Sequence, residues 1–275
     1  MGGRGSSYYE KRNQEKEQEL VKLLINESKK QQPYPDDPET ERVDNYYFKQ
    51  LKNNKISERE STDKFDLETL KPYQKQLQLL SDKYPTKAIT KENEVQLSTY
   101  RLRGAYGALQ TRIDEQNQIV VRLTLDPTTI RNQERYITDK MFGISQKESV
   151  HVDAQNIYLY TLTHEYGHLI EENIIRQRYK KKAEHLDIHY TKFREIEAER
   201  IKNEVIRNLQ NKYTTPLNND MIYLSNYAKD KFKHKDGRGN DFEWFAETFT
   251  NSQLSAKSAP IAQELEKYIR RNINE

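Results

Sequence analysis

The feature that most restricts the fold is a short pattern of ionisable residues inside an otherwise apolar segment. The segment reads TLTHEYGHLIEEN, and it contains an H-E-x-x-H pattern formed by His164, Glu165 and His168. Residues four apart lie one turn apart on the same face of an α-helix, so both imidazoles can face one ion if the segment is helical. We therefore predict an amphipathic helix over 156–182.

The residue after the first histidine gives this pattern a chemical meaning. Glu165 is turned about a quarter of a turn away from His164, so its carboxylate can reach a metal-bound water rather than the metal. Zinc lowers the pKa of such a water towards about 7, and a carboxylate can then take its proton as it attacks a carbonyl. The pattern predicts Zn²⁺ as cofactor, His164 and His168 as ligands, and Glu165 as general base.

A catalytic zinc also needs a third protein ligand, and three segments compete for this role. In NDFEWFAETFTNS, Glu243 is the candidate ligand, and Glu247, one turn later, can hydrogen-bond a ligand histidine. The segment REIEAER has the same spacing at Glu195 and Glu199, but it is crowded with charged residues, which favours a solvated helix face. The segment HLDIH, at 185–189, lacks a general-base Glu at the right offset and is more typical of a polar helix start.

Composition removes several other classes of site. The chain has no cysteine, which excludes disulfides, thiolate metal sites and cysteine nucleophiles, so a metal must be held by His, Asp or Glu. Its 46 basic and 43 acidic residues nearly cancel, which argues against a nucleic-acid partner. Apolar residues make up 34% and charged residues 32% of the chain, so we expect part of it to be extended helix or disorder.

The distribution of these residues predicts two regions. Residues 1–62 are rich in charged and amide side chains and are predicted to form a flexible or helical arm, with one helix at about 11–30. Residues 63–275 are predicted to form the catalytic domain, an α+β fold that is mostly helical with a small sheet. Apart from 156–182, periodicity predicts helices over 66–84, 91–102, 190–210, 241–252 and 261–273.

One segment has the composition of a β-strand. The stretch IVVRLTL, at 119–125, is β-branched and apolar and ends at an Asp-Pro stop. At a sheet edge this strand could receive a peptide by strand addition, although an interior position is equally compatible with its sequence.

The chain has no predicted membrane span or secretory signal. No apolar run approaches the roughly 18 residues needed to cross a bilayer, and no apolar stretch follows the charged N-terminus. We expect a cytoplasmic protein, or one delivered or secreted by a leaderless route.

Three of these segments together resemble a known family. HEYGH at 164–168, SNYA at 225–228 and EWFAETF at 243–249 are similar to the HExGH, S-x-Y-A/G and ExFAE-x-F elements of the catalytic domain of anthrax lethal factor. Relatives of that domain include metallopeptidases encoded by Gram-positive phages and mobile elements. The resemblance covers about 66–275.

The resemblance implies a zincin fold in which Zn²⁺ is bound by His164, His168 and Glu243. It also implies that Glu165 is the general base and that Tyr227 stabilises the oxyanion. This chain departs from the family by an insertion, KDKFKHKDGRGND, between Tyr227 and the ligand Glu.

The leading functional prediction is a zinc-dependent endopeptidase with a protein or peptide substrate. One alternative is a phage or mobile-element structural or morphogenesis protein with an inactive zincin domain, whose arm contacts a phage particle or a host protein. The other is a repressor-cleaving gluzincin with its third ligand at 195–199.

Overall fold

The computed structural model of the chain describes residues 56–57, 67–86, 89, 95–99, 105–113, 119–182, 190–229 and 241–273. The helix predicted at 11–30 and the candidate segment 185–189 lie outside these residues. Of the predicted arm, Ile56–Ser57 is described, and it pairs with a later strand.

The described residues contain nine α-helices. They are α1 (Leu67–Lys83), α2 (Pro127–Arg131), α3 (Gln133–Ser145), α4 (Tyr160–Lys182), α5 (Tyr190–Gln210), α6 (Asn219–Ile222), α7 (Asn226–Lys229), α8 (Asp241–Leu254) and α9 (Pro260–Asn272). A 3₁₀ helix, Ala154–Leu159, leads into α4. None of the described helices is long and apolar enough to cross a membrane.

The sheet has four strands, β1 (Ile56–Ser57), β2 (Val95–Thr99), β3 (Gly107–Ile113) and β4 (Ile119–Leu125). Their order is β1-β2-β4-β3, in which β1, β2 and β4 are parallel and β3 is antiparallel to β4. Helices dominate the described part of the chain, so the α+β class with a small sheet is confirmed.

The core is built around the contact between α4 and α8, two helices far apart in sequence. Gly167 makes this contact close, because a Cβ atom there would lie 3.0 Å from Ala246 Cα and 3.1 Å from Phe249 Cδ1. Tyr166 and Phe245 are fully buried beside it. The absence of a side chain at 167 thus brings the backbone of α8 against the H-E-x-x-H turn of α4.

The structure confirms most of the predicted elements and corrects one. The helices predicted over 66–84, 156–182, 190–210, 241–252 and 261–273 and the strand over 119–125 are present. The helix predicted over 91–102 is wrong, because Val95–Thr99 is a strand parallel to β4. Val95 and Leu97 alternate and are both fully buried, so tertiary pairing decides the local structure here.

The structure also decides between the edge and interior positions left open for 119–125. Strand β4 lies between β2 and β3 and is hydrogen-bonded on both sides, so it has no edge to offer. The outer strands of the described sheet are β1 and β3. Strand β3 and helix α3 were not predicted from the sequence.

Candidate metal centre

Helix α4 presents the two predicted histidine ligands on one face. The rings of His164 and His168 are 4.9 Å apart, centroid to centroid, and nearly perpendicular, at 86°. Their side chains are 11% and 15% exposed, so both are largely protected from water. This arrangement leaves an Nε2 atom of each imidazole directed towards α8.

Helix α8 supplies the carboxylate that completes the group. Glu243 Oε2 lies 3.2 Å from His164 Nε2 and 3.5 Å from His168 Nε2. Two ligands of a tetrahedral zinc, each about 2.1 Å from the ion, are separated by about 3.4 Å. The donor set and these separations fit a three-ligand zinc site, and within the described residues this is the group of His, Asp and Glu side chains that could hold a metal.

Glu247 contacts His164 at Nδ1, the ring nitrogen that does not face Glu243. Its Oε1 atom lies 3.1 Å from His164 Nδ1 and accepts a hydrogen bond of 2.6 Å from the Tyr160 hydroxyl. Its Oε2 atom accepts one of 2.8 Å from the Val150 N–H. A carboxylate at Nδ1 favours the tautomer that carries its proton there, which leaves Nε2 free to bind a metal.

The pKa values of His164 and Glu243 are shifted by their mutual contact. Burial disfavours the charged form of His164, but the carboxylates of Glu243 and Glu247 outweigh it and raise the pKa of His164 to about 10. Burial opposes ionisation of Glu243 as well, yet the two histidines hold its pKa well below the usual range. A metal that binds at His164 would have to displace the proton that these carboxylates favour.

Glu165 lies on α4 next to the beginning of strand β3. A Cβ atom at Gly107 would lie 3.0 Å from Glu165 Cγ and 3.1 Å from Glu165 Oε1, and it would collide with Thr161. The first residue of β3 therefore runs directly against the predicted general base. Glu165 is not a member of the three-ligand group, in agreement with its quarter-turn offset from His164.

Tyr227 lies beside the same group, on the short helix α7. Its ring is 6.5 Å from the His164 ring, and its hydroxyl donates a hydrogen bond to Glu243. Burial raises the pKa of Tyr227 well above its ordinary value, and the negative charge of Glu243 raises it further, so the phenol stays protonated. Residues 230–240 of the insertion lie outside the described part of the chain. Tyr227, before the insertion, and Glu243, after it, both lie at the site.

The loop after α3 contacts α7. The backbone N–H of Asn226, the residue before Tyr227, donates to the carbonyl of Lys147 at 2.6 Å. Lys147 has a positive φ of 58°, which is unusual for a residue other than glycine.

The rival third-ligand segment does not reach the metal group. Glu195 and Glu199 both lie on α5. The Glu195 side chain is 37% exposed and forms a 3.3 Å ion pair with Lys192, one turn earlier. Glu199 is exposed to solvent. Both have the solvated position that the charged composition of this helix favours.

Two side chains near the site were not identified from the sequence. Tyr160, which donates to Glu247, lies one turn before His164, and this spacing was a usable signal. Lys140, on α3, has its ammonium 4.3 Å from the centre of the Tyr160 ring. Nothing local in the sequence of α3 marks this lysine, because its position results from tertiary packing.

No protein-family model, curated protein or solved structure matches this chain.

Proposed function

We propose that this protein is a zinc-dependent endopeptidase of the zincin type, similar to the catalytic domain of anthrax lethal factor. The observation that carries the proposal is the convergence of His164, His168 and Glu243, which lie on two helices far apart in sequence. The H-E-x-x-H pattern, the Glu247 contact to His164 and the position of Tyr227 support it. In this proposal these three side chains would hold Zn²⁺.

The residues around the three-ligand group have separate roles in the proposed peptide hydrolysis. Zinc, when bound, acidifies water and polarises a carbonyl group. Glu165 takes a proton from the attacking water and passes it to the leaving amine. The Tyr227 hydroxyl donates to the developing oxyanion, in place of its hydrogen bond to Glu243. Glu247 keeps His164 in the orientation and tautomer that binds metal.

The test is Glu165→Gln, which removes the general base and keeps the size of the side chain. The purified variant is expected to bind about one zinc per chain, by elemental analysis, and to lose cleavage of a quenched fluorescent peptide library. Hydrolysis at the parent rate by this variant would refute the mechanism. Zinc binding with no hydrolysis by the parent protein would instead favour the alternative of a metal-stabilised, inactive zincin domain.

A further inference from the structure

Lys140 lies between two aromatic rings next to the metal group. Its ammonium is 4.3 Å from the centre of the Tyr160 ring and 5.6 Å from the centre of the Tyr106 ring. The two tyrosines are themselves fixed, since Tyr106 donates to Asp139 at 2.8 Å and Tyr160 donates to Glu247. The cation is therefore held in place by its neighbours.

Within the described residues, the Lys140 ammonium has these ring contacts but no hydrogen bond or ion pair. Two other basic side chains with little exposure have carboxylate partners: Lys202 pairs with Asp241, and Arg178 pairs with Glu197. Lys140 is half-buried, and its ring contacts replace only part of the hydration that its ammonium loses. The ammonium therefore has donor capacity for a further acceptor.

Lys140 lies beside the proposed site of hydrolysis, because the Tyr160 ring that it contacts is stacked 6.2 Å from the ring of His164. Burial lowers the pKa of Lys140, and the carboxylates of Glu247, Glu165 and Glu243 act in the opposite direction. Tyr106 immediately precedes Gly107, which runs against Glu165. The ammonium therefore lies within the electrostatic reach of Glu247 and Glu165, and next to Tyr106, the residue before β3.

Charge balance supports an anionic ligand. Three carboxylates, Glu165, Glu243 and Glu247, meet one divalent metal and one ammonium, so the metal-loaded group has no net charge. Without Lys140 the same group would be negative and would repel a substrate carboxylate. With Lys140 present, a carboxylate that reaches the ammonium gains a charge-assisted hydrogen bond in a site largely screened from water.

We propose that Lys140 binds a carboxylate of the substrate close to the scissile bond, so that the protein acts on peptides with an acidic side chain or a free C-terminal carboxylate at that position. This inference rests on the proposed zinc peptidase function. The shared chemistry is a carboxylate, and the side chain and the C-terminus are its two sources.

The first experiment measures binding and does not require hydrolysis. Zinc-loaded Glu165→Gln protein is titrated with the monohydroxamates of succinic, glutaric and adipic acid, and with the same compounds carrying a primary amide in place of the free carboxylate. The hydroxamate binds the metal, and the three lengths sample the distance to Lys140. At least one acid is expected to bind about tenfold more tightly than its amide.

The same titrations are made with Lys140→Met, Lys140→Arg and, as a matched control on an exposed lysine, Lys75→Met, each combined with Glu165→Gln. The preference for the acid is expected to disappear in Lys140→Met and to persist in Lys140→Arg and Lys75→Met. Equal affinities for acid and amide at all three lengths would overturn the proposal. The proposal would also be overturned if Lys140→Met lost the same factor in affinity for the acid and for the amide. That result would mean that Lys140 only supports Tyr160 and Glu247.

The second experiment separates the two sources of the carboxylate. The zinc-loaded parent protein is incubated with peptides that have an amidated C-terminus and varied internal Asp or Glu positions, and with peptides that have a free C-terminus and no acidic side chain. Cleavage that follows an internal acid supports the side chain, and cleavage close to a free C-terminus supports the terminal carboxylate. Cleavage without either preference would overturn the proposal.

The two proposals fail in different ways. A protein that binds zinc and shows the Lys140-dependent preference for acids but hydrolyses no peptide would refute the peptidase function and keep the carboxylate site. A protein that hydrolyses peptides without a preference for carboxylates would keep the function and refute the site. A protein that takes up no zinc would refute both.

Discussion

In the proposed zinc site Glu243 is the one ligand from outside α4, and Glu195 and Glu199 on α5 are not part of the group that could hold a metal. We expect Glu243→Ala to weaken zinc binding by at least about 100-fold, because losing a direct ligand costs more than the 10- to 100-fold typical of an outer contact. Glu195→Ala is the matched control and is expected to bind zinc as the parent does. Competition with a chromogenic chelator measures both; tight binding by Glu243→Ala would move the third ligand elsewhere.

The role of Tyr227 in stabilising the oxyanion is implied only by the family resemblance, and a substitution can test it. Tyr227→Phe removes the hydroxyl and keeps the ring, so kcat is expected to fall by about 10²–10³, the cost typical of losing one oxyanion donor. Zinc content should not change, because Tyr227 is not a ligand. Tyr213→Phe, on an exposed ring, serves as the control. An unchanged kcat in Tyr227→Phe would leave oxyanion stabilisation to other groups.

The parts of the site that follow from local spacing were predictable, and the parts that follow from packing were not. His164, Glu165 and His168 follow from one helical turn, and the spacing of Glu243 and Glu247 follows from another. Lys140 lies on a helix of unremarkable sequence, and it reaches the site only because α3 packs beside Tyr106 and Tyr160.

At the scale of elements, the same distinction explains why the helix predicted over 91–102 is wrong and why the place of 119–125 in the sheet stayed open. Long helices with a regular apolar face, such as α1 and α5, could be recognised from periodicity alone. Strand β2 could not be recognised in this way, because its five residues carry too few apolar positions to distinguish a strand from a helix. Its pairing with β4 determines that it is a strand. The order of strands in a sheet depends on contacts between distant segments, so the interior position of β4 was not readable from its sequence.

The contact between α4 and α8 makes a prediction at this scale. In Gly167→Ala the new methyl group would meet the Ala246 backbone at 3.0 Å, which cannot move aside as a side chain tip can. We expect a loss of about 1–3 kcal/mol in the free energy of unfolding, measured in urea, and weaker zinc binding because Glu243 moves with α8.

The control for this variant is another helical glycine. Gly143→Ala, on α3, would meet Ser149 Oγ, the end of a small side chain, at 3.2 Å. Alanine favours a helix over glycine by about 1 kcal/mol, so this variant should be neutral or slightly more stable. If both variants lost the same free energy of unfolding, the absence of a side chain at Gly167 would not be what allows α8 to approach α4.

For the molecule as a whole, the proposed metal connects two helices separated by about sixty residues. A ligand that binds the folded chain and not the unfolded one stabilises folding by mass action, by about 4 kcal/mol at a free concentration 1,000 times Kd. Removing zinc with a chelator is therefore expected to lower the melting temperature of the whole described domain. The Glu243→Ala protein should not respond to the chelator.

The size of this effect should depend on pH. In the metal-free protein the pKa of His164 is raised from 6.5 to about 10, so its ion pairs with Glu243 and Glu247 stabilise the fold fully below about pH 6.5 and are lost as pH rises through 10. Zinc must displace that proton, so its affinity increases over the same interval. The difference in melting temperature between zinc-loaded and chelated protein should therefore widen from pH 6.5 to 8.5. A constant or narrowing difference would show that zinc does not bind at His164.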